Sequence, residues 1–121
     1  MTDQQIENEI QSKGLTAPRV TPADVEATVA SEWYFTAAQG AAHYFEERKF
    51  PGSASPLHLL TFCVLVLDNG FTVTGESACA SPENFNEEIG RTIARRNAEA
   101  KIWPLLGFRL RDALHHLAAT A

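Results

Sequence analysis

A tight turn in the middle of the chain constrains the fold most. Asn69-Gly70 is the strongest short-range hairpin signal, because a type I′ turn needs positive φ at both central residues. An apolar, β-branched run from Leu59 to Asp68 precedes this pair, and Phe71-Thr72-Val73-Thr74 alternates after it. The pattern predicts two antiparallel strands in which Asp68 pairs with Phe71.

That register assigns a side to every residue of the hairpin. Phe62 then faces Ser77, and Cys63 faces Glu76. We predict that the core-facing side comprises Leu60, Phe62, Val64, Val66, Phe71 and Val73. The opposite side of the first strand is also apolar, so this strand needs cover on both faces. Cys63 and Cys79 are not opposite each other, and no disulfide is expected.

Capping patterns predict helices on both sides of the hairpin. A short helix begins near Thr2 or Asp3 and stops at Gly14. A second begins at Thr21-Pro22, and the spacing of Val25, Val29 and Trp33 predicts that it continues to about Phe35. Ser81-Pro82 predicts a long helix to Trp103, where Pro104 removes a backbone donor. A short last helix then reaches about Ala119, and residues 36–57 are interpreted mostly as loop.

These elements predict an α+β fold. An antiparallel β-hairpin or sheet packs against a long α-helix, with N-terminal helices and a short C-terminal helix. Residues 1–16 are expected to form an N-terminal helical arm, and residues 17–121 a single α+β domain. A chain of 121 residues buries only about two-thirds of its unfolded surface, so oligomerisation is a natural way to bury more.

Composition excludes several classes of protein. An apolar fraction of 45% with a formal charge of −5 is not typical of a disordered chain. The longest apolar run is too short for a membrane span. The polar start predicts no leader peptide, and two cysteines without one favour a reducing cytoplasm.

The charge is unevenly distributed. Residues 91–111 carry six basic side chains against Glu99 alone, within an acidic chain. Binding to duplex nucleic acid is not expected, since it favours an overall basic face. A small anion could meet this arginine cluster, although a solvated helix face is the more common explanation of such a run.

Catalytic and metal-binding patterns are not evident. The four histidines are not spaced as zinc ligands, and no cofactor or metal is expected. Glu76 could act as a general base, but pairing with an arginine of the long helix is favoured. The start of the long helix could receive a phosphate. Phe85 beside it could stack on a base, although its spacing with Ile89 is more typical of a core residue.

Three segments of the chain resemble a family of small tailed-phage proteins. They are Asp68 to Cys79 (DNGFTVTGESAC), Asn84 to Arg91 (NFNEEIGR) and Asn97 to Leu105 (NAEAKIWPL). Arg19-Val20-Thr21-Pro22 and Tyr34-Phe35 also fit, so the resemblance covers about residues 17–111. This family is similar to the first described type of Thoeris anti-defence sponges.

The resemblance implies a non-enzymatic phage protein in the cytoplasm of the infected host. Such sponges sequester cyclic ADP-ribose isomers made by bacterial immune enzymes, and some hold the cyclic oligonucleotides of CBASS immunity. It implies a homo-oligomer, dimer or hexamer, with ligand at subunit interfaces. The positions that match the binding residues are Phe85, Asn86, Arg91, Arg95, Asn97, Arg109 and Arg111. Leu106 and Phe108 depart from the family pattern, where an acidic residue and a tyrosine are expected.

Two other hypotheses stay open. The protein could bind and inhibit a host protein through an exposed patch such as Trp33-Tyr34-Phe35 or Trp103. An enzyme acting on nucleotides through Glu76 is the least favoured of the three.

Overall fold

The computed structural model describes residues 1–44 and 51–120. Its helices are α1 (Asp3–Ser12), α2 (Pro22–Ala27), α3 (Ala37–Tyr44) and α4 (Glu87–Thr120), and its strands are β1 (Val29–Thr36), β2 (Leu60–Leu67) and β3 (Thr72–Ala78). Short 3₁₀ turns cover Pro56–Leu59 and Pro82–Asn84. The three strands form one antiparallel sheet in the order β1-β2-β3, and α4 packs across one face. The predicted α+β fold is confirmed.

The predicted hairpin is present, but its register differs by one residue. Phe62 faces Glu76 instead of Ser77, and Cys63 faces Gly75 instead of Glu76. Only Gly70 has positive φ in the turn, and the amide of Leu67 donates to the carbonyl of Phe71. A three-residue loop with glycine in the left-handed region therefore replaces the two-residue type I′ turn.

The prediction of which hairpin face is buried was wrong for β2 and for Phe71, which is 55% exposed; it was right for Val73. Thr61, Cys63, Leu65 and Leu67 are buried beneath α4, whereas Leu60, Phe62, Val64 and Val66 are only half-buried on the other face. Both faces of β2 are apolar, so its own pattern does not choose between them. The neighbouring strand β3 determines which face is buried, because its residues Val73 and Gly75 lie against α4, and Gly75 has no side chain to keep the helix away.

The second predicted helix is shorter than expected. Thr21 caps α2 in a reciprocal capping box, but the helix ends at Ala27. Residues Val29–Thr36 form β1, which pairs with β2 and places Trp33 opposite Val64. The run is rich in β-branched and aromatic residues, which suit a strand, and pairing with β2 outweighs the helical spacing of Val25, Val29 and Trp33.

Two further boundaries of the long helix were predicted wrongly. The structure places a 3₁₀ turn at Pro82–Asn84, and α4 begins only at Glu87. The helix then continues through Pro104 to Thr120 as one element of 34 residues. Pro104 is exposed on the side opposite Ile102 and Leu106, which are buried against the sheet. Packing on both sides of the proline thus outweighs its missing hydrogen bond, which costs about 3 kcal/mol in an unsupported helix.

Helical spacing predicts two apolar stripes on this helix, Phe85-Ile89-Ile93 and Ala94-Ala98-Ile102, and the structure confirms that the second is buried. Ile89 and Ile93 are exposed, while the buried residues recur at every fourth position as Gly90, Ala94, Ala98, Ile102 and Leu106. Small residues in the first half of this stripe let the helix lie close to the sheet.

The remaining predictions concern the first helix and the segment between β1 and β2. α1 forms as predicted, with a capping box at Thr2 and positive φ at Gly14. Part of the predicted 36–57 loop is helical, as α3 and a 3₁₀ turn. The charged patch at residues 46–49 lies outside the described residues. No helix within residues 1–44 or 51–120 combines the length and the hydropathy of a membrane span.

Candidate functional site

The seven predicted ligand residues lie along α4 and its start, but they form two separate groups. Phe85, Asn86, Arg91, Arg95 and Asn97 are near the beginning of the helix. Arg109 lies 18 residues after Arg91, a rise of about 27 Å. One copy of the chain therefore does not gather all seven around one small molecule.

Asn86 and Phe85 contribute to the structure of the helix start. The Oδ1 atom of Asn86 accepts a hydrogen bond from the amide of Ile89, 2.9 Å away, which caps the first turn of α4. The ring of Phe85 is half-buried beside Gly90, where an added Cβ would lie 3.9 Å from it. Both side chains have a clear folding role at this end.

Arg95 is surrounded by carboxylates. Its guanidinium forms ion pairs with Glu26 of α2, Glu32 of β1 and Glu99 of α4, and the side chain is only 19% exposed. Burial opposes its charge, but the hydrogen bonds and negative charges of Glu99 and Glu26 outweigh burial and raise the pKa of Arg95. Arg95 thus joins three elements, and an anionic ligand would have to displace carboxylates to reach it.

Arg91 and Asn97 also have partners within the chain. Arg91 pairs with Glu87 one turn earlier, at the exposed surface. The Nδ2 atom of Asn97 donates to the carbonyl of Glu76, 2.8 Å away, and so ties α4 to β3. Glu76 was expected to pair with an arginine of the long helix. Instead its main chain binds Asn97, and its carboxylate forms no ion pair with a described residue.

The second group of arginines has a different environment. Arg109 and Arg111 are exposed, and neither forms an ion pair with any residue in the described ranges. Arg109 borders an open groove of about 420 Å³ between α2, the hairpin turn and α4. We call this the Arg109 groove. Its charged residues are Arg19, Asp24, Asp68 and Arg109, and its apolar surface includes Leu106 and Leu110.

Arg19 is the second arginine of the groove, and the sequence-based set did not include it. It lies just before α2, and its Nε atom donates to the Oε1 of Glu7, 2.9 Å away. Glu7 belongs to α1 and is only 4% exposed. A signal was present in the sequence, because Arg19 is part of the Arg19-Val20-Thr21-Pro22 segment that carries the phage-family resemblance.

A second groove lies between α1 and α4. It has a volume of about 410 Å³ and is bordered by Ile6, Ile10, Arg96, Glu99 and Trp103. This groove is mainly the space left where the N-terminal helix α1 packs against the rest of the domain.

The cysteines are free thiols, with Cys63 buried and the Sγ of Cys79 directed to the carbonyl of Ser81. Across the described part of the chain, no three His, Cys, Asp or Glu side chains group as metal ligands.

Comparison with known proteins identifies a family but no individual protein that is similar to the chain. No curated protein and no solved structure matches the chain. One family model matches residues 20–114, which include the whole sheet, most of α4 and every residue bordering the Arg109 groove except Arg19. The chain therefore belongs to the phage protein (N4 Gp49/phage Sf6 gene 66) family.

Proposed function

We propose that this phage protein binds and sequesters a small cyclic nucleotide signal of the bacterial immune response, without degrading it. The proposed ligands are cyclic ADP-ribose isomers, with cyclic oligonucleotides as a second set. The observation that carries the proposal is the guanidinium of Arg109, which borders an open groove and has no carboxylate partner among the described residues. Binding would take place in the cytoplasm of the infected host.

The chemistry of the Arg109 groove suits such a ligand. Guanidinium groups bind phosphate oxygens with paired hydrogen bonds, and Arg109 borders the groove without an ion pair, whereas the guanidinium of Arg19 there is held by Glu7. Leu106 and Leu110 offer apolar surface to a base or ribose, and the carboxylate of Asp68 can accept from ribose hydroxyls. The volume of the groove, about 420 Å³, is within the range of small-molecule sites.

The difference between paired and unpaired arginines also supports sequestration. Arg95 is held by three carboxylates, and the amides of Asn86 and Asn97 serve the fold. Arg109 and Arg111 are the members of the predicted set that can bind an anion without breaking an ion pair described in the structure. A pocket shared between copies, as expected for a homo-oligomer, would bring in further groups.

A catch-and-release measurement tests the proposal. The protein is incubated with cyclic ADP-ribose isomers and with cyclic di- and trinucleotides, filtered and denatured by heat, and the released molecules are identified by mass spectrometry. We expect intact nucleotide to be released. Arg109→Ala should weaken binding at least tenfold, since it removes a charge-assisted contact worth about 1.5–3 kcal/mol. Lys101→Ala is the matched control, because Lys101 is an exposed cation on the same helix that borders neither groove.

Other results would contradict this function in different ways. Release of an altered nucleotide would indicate an enzyme. No depletion of any of these nucleotides would overturn the sponge hypothesis for them. Equal losses in Arg109→Ala and Lys101→Ala would indicate a general charge effect instead of a site.

A second candidate function rests on the outer face of the sheet. Trp33 is 62% exposed there, beside Phe35 and opposite the half-buried Val64. Exposed aromatic side chains of this kind anchor many protein interfaces, so the chain could bind and inhibit a host protein. Under this alternative, Trp33→Ala would abolish the protective effect of the protein during infection, and Arg109→Ala would leave it unchanged.

A further inference from the structure

A buried ion pair links the first helix to the Arg109 groove. Glu7 of α1 is 4% exposed, and its partner Arg19 lies in the segment between α1 and α2. Arg19 borders the groove, whereas no residue of α1 does. Through this pair, α1 therefore contacts a residue of the groove without bordering the groove itself.

Glu7 occupies only one edge of the Arg19 guanidinium. The Nε and Nη2 atoms of Arg19 both donate to the Oε1 atom of Glu7, the first of them over 2.9 Å. A guanidinium has five N–H donors, and these hydrogen bonds use two of them, so three remain. Those three have no hydrogen-bond partner among the described residues, and the side chain of Arg19 is 25% exposed. Arg19 can therefore bind an anion through its second edge while Glu7 stays in place.

The charges of the groove favour the use of this second guanidinium. Asp24 and Asp68 also border the groove, so Arg109 alone leaves an excess of negative charge there. Asp24 accepts from the amide of Thr21, 2.9 Å away, in the capping box of α2, which keeps this carboxylate at the groove. Arg19 balances the second carboxylate. Two guanidinium groups can then hold one phosphate-bearing ligand with charge-assisted hydrogen bonds.

We propose that Glu7 is a positioning residue for the Arg109 groove: it fixes the guanidinium of Arg19 so that the free edge meets an anion bound by Arg109. A free arginine side chain loses rotamer entropy when it binds, and Glu7 orders this one before the ligand arrives. The inference rests on the proposed function, because it takes an anionic ligand as the occupant of the groove. It adds that α1, which lies outside the matched residues 20–114, takes part in binding.

Removal of the Glu7 carboxylate has two consequences of opposite sign. The carboxylate is a negative charge beside Arg19, so electrostatics alone predicts that an anion binds more tightly to Glu7→Ala. Loss of positioning predicts weaker binding, because the ligand itself must then order the side chain of Arg19. The direction of the change in affinity therefore separates positioning from a charge effect.

The test is isothermal titration calorimetry with inorganic pyrophosphate at constant ionic strength. This probe carries phosphate groups without a base or a ribose. We expect the wild-type chain to bind it, and Glu7→Ala to bind it about fivefold more weakly, as expected when one long side chain is no longer ordered. Glu7→Gln should recover most of the lost affinity, because its Oε1 atom can still accept from both donors of Arg19.

Glu9→Ala is the matched control for the charge of α1. Glu9 is on the same helix, but it forms an exposed pair with Lys13 and none with Arg19. This variant should bind pyrophosphate as the wild type does. The apolar core includes no residue of α1, so all three variants should fold, which circular dichroism checks.

Tryptic cleavage at Lys13 gives a second measurement. If docked α1 strengthens anion binding, a bound anion must favour docked α1 to the same extent. Pyrophosphate should therefore slow cleavage at Lys13 in the wild-type chain, and it should give no such protection in Arg109→Ala. Competition between Glu7 and the anion for Arg19 would instead make cleavage faster.

The outcomes distinguish this inference from the proposed function. Unchanged or tighter binding by Glu7→Ala would overturn the positioning role and leave the sponge proposal standing. Equal weakening in Glu7→Ala, Glu7→Gln and Glu9→Ala, or faster cleavage at Lys13 with pyrophosphate, would also overturn it. A wild-type chain that does not bind pyrophosphate overturns the inference too, and release of nucleotide in the catch-and-release measurement then shows separately whether the sponge proposal stands.

Discussion

Gly75 of β3 lies directly against the main chain of α4 at Ala94, so closely that no side chain fits between them. A Cβ atom built on Gly75 would overlap the carbonyl oxygen of Ala94, and it would lie 2.9 Å from the carbonyl carbon of Asn97. These are backbone atoms, which cannot move aside as the end of a flexible side chain can. This contact determines how close the long helix comes to the sheet.

Gly75→Ala should therefore destabilise the protein strongly. We expect the free energy of unfolding to fall by about 3 kcal/mol, the upper range for overpacking against a rigid neighbour. Urea denaturation followed by circular dichroism measures it. Gly107→Ala is the control, since nothing lies within 4 Å of a Cβ at that helical position. It should stabilise the helix by about 0.5–1 kcal/mol, and a loss at Gly75 no larger than about 1 kcal/mol would contradict this account.

Arg95→Ala should cost stability whether or not a ligand is present. The substitution leaves Glu26, Glu32 and Glu99 close together without the guanidinium that joins them. Because Glu26 and Glu32 are largely exposed, we expect a loss of about 2 kcal/mol, below the cost of breaking a fully buried ion pair. Arg91→Ala, which removes an exposed pair within one helix, should cost no more than about 0.5 kcal/mol.

The same measurement separates a structural role from a ligand role for Arg95. Thermal unfolding without nucleotide should show the loss, and salt should reduce the difference from the wild type. An Arg95→Ala variant that is as stable as the wild type but fails to retain nucleotide would instead assign Arg95 to the ligand site.

The Glu7–Arg19 pair should hold α1 on the domain. The carboxylate of Glu7 is buried and accepts from the guanidinium of Arg19, so Glu7→Ala leaves a cation without its partner. We expect faster tryptic cleavage in the segment that joins α1 to α2, at Lys13 or Arg19, because the arm detaches more often. Glu9→Ala removes only an exposed pair with Lys13 and should be cleaved at the wild-type rate. Equal cleavage of the two variants would show that this pair does not hold the arm.

Stability should fall in alkaline solution because of a pair of side chains between β1 and β2. Burial and the neighbouring thiol of Cys63 raise the pKa of Tyr34 to about 12, from 10.0. Burial also raises the pKa of Cys63. Since both groups ionise less readily in the folded chain, their contribution is fully present below the ordinary values and is lost as pH rises through the raised ones.

Denaturation at a series of pH values measures this effect. The free energy of unfolding should decline between about pH 10 and pH 12, and the decline should be shallower in Tyr34→Phe. A Tyr34→Phe variant that loses stability as steeply as the wild type in this range would show that the phenol is not responsible.

Local signals in the sequence were sufficient for several parts of the fold. The turn around Asn69-Gly70, the capping boxes at Thr2 and Thr21, and the positive φ of Gly14 depend on residues within a few positions of each other. Such signals act through short-range hydrogen bonds and backbone sterics, so they can be recognised before the tertiary contacts are known. Because these local signals mark both a hairpin and helices, they also predicted the α+β class correctly.

The candidate site was only partly accessible from sequence. The resemblance pointed to arginines and amides on the long helix, but it did not separate those with partners from those without. Arg95 and Arg109 are equivalent as residue types. Only the folded chain brings Glu26 and Glu32 to Arg95, because these carboxylates are distant from it in sequence.

Short-range patterns of residues were enough to predict the hairpin, the helix starts near Thr2 and Thr21, and the mixed α and β character of the chain. Long-range packing was needed to make residues 29–36 a strand, to continue α4 through Pro104, and to bury the odd-numbered face of β2. In each of these cases the local pattern either left two faces equally apolar, as in β2, or favoured a conformation that the chain does not adopt. Packing between β2, Gly75 and α4 selected the observed arrangement, since burying apolar surface outweighs the local preferences of a strand, a proline or a helix stripe.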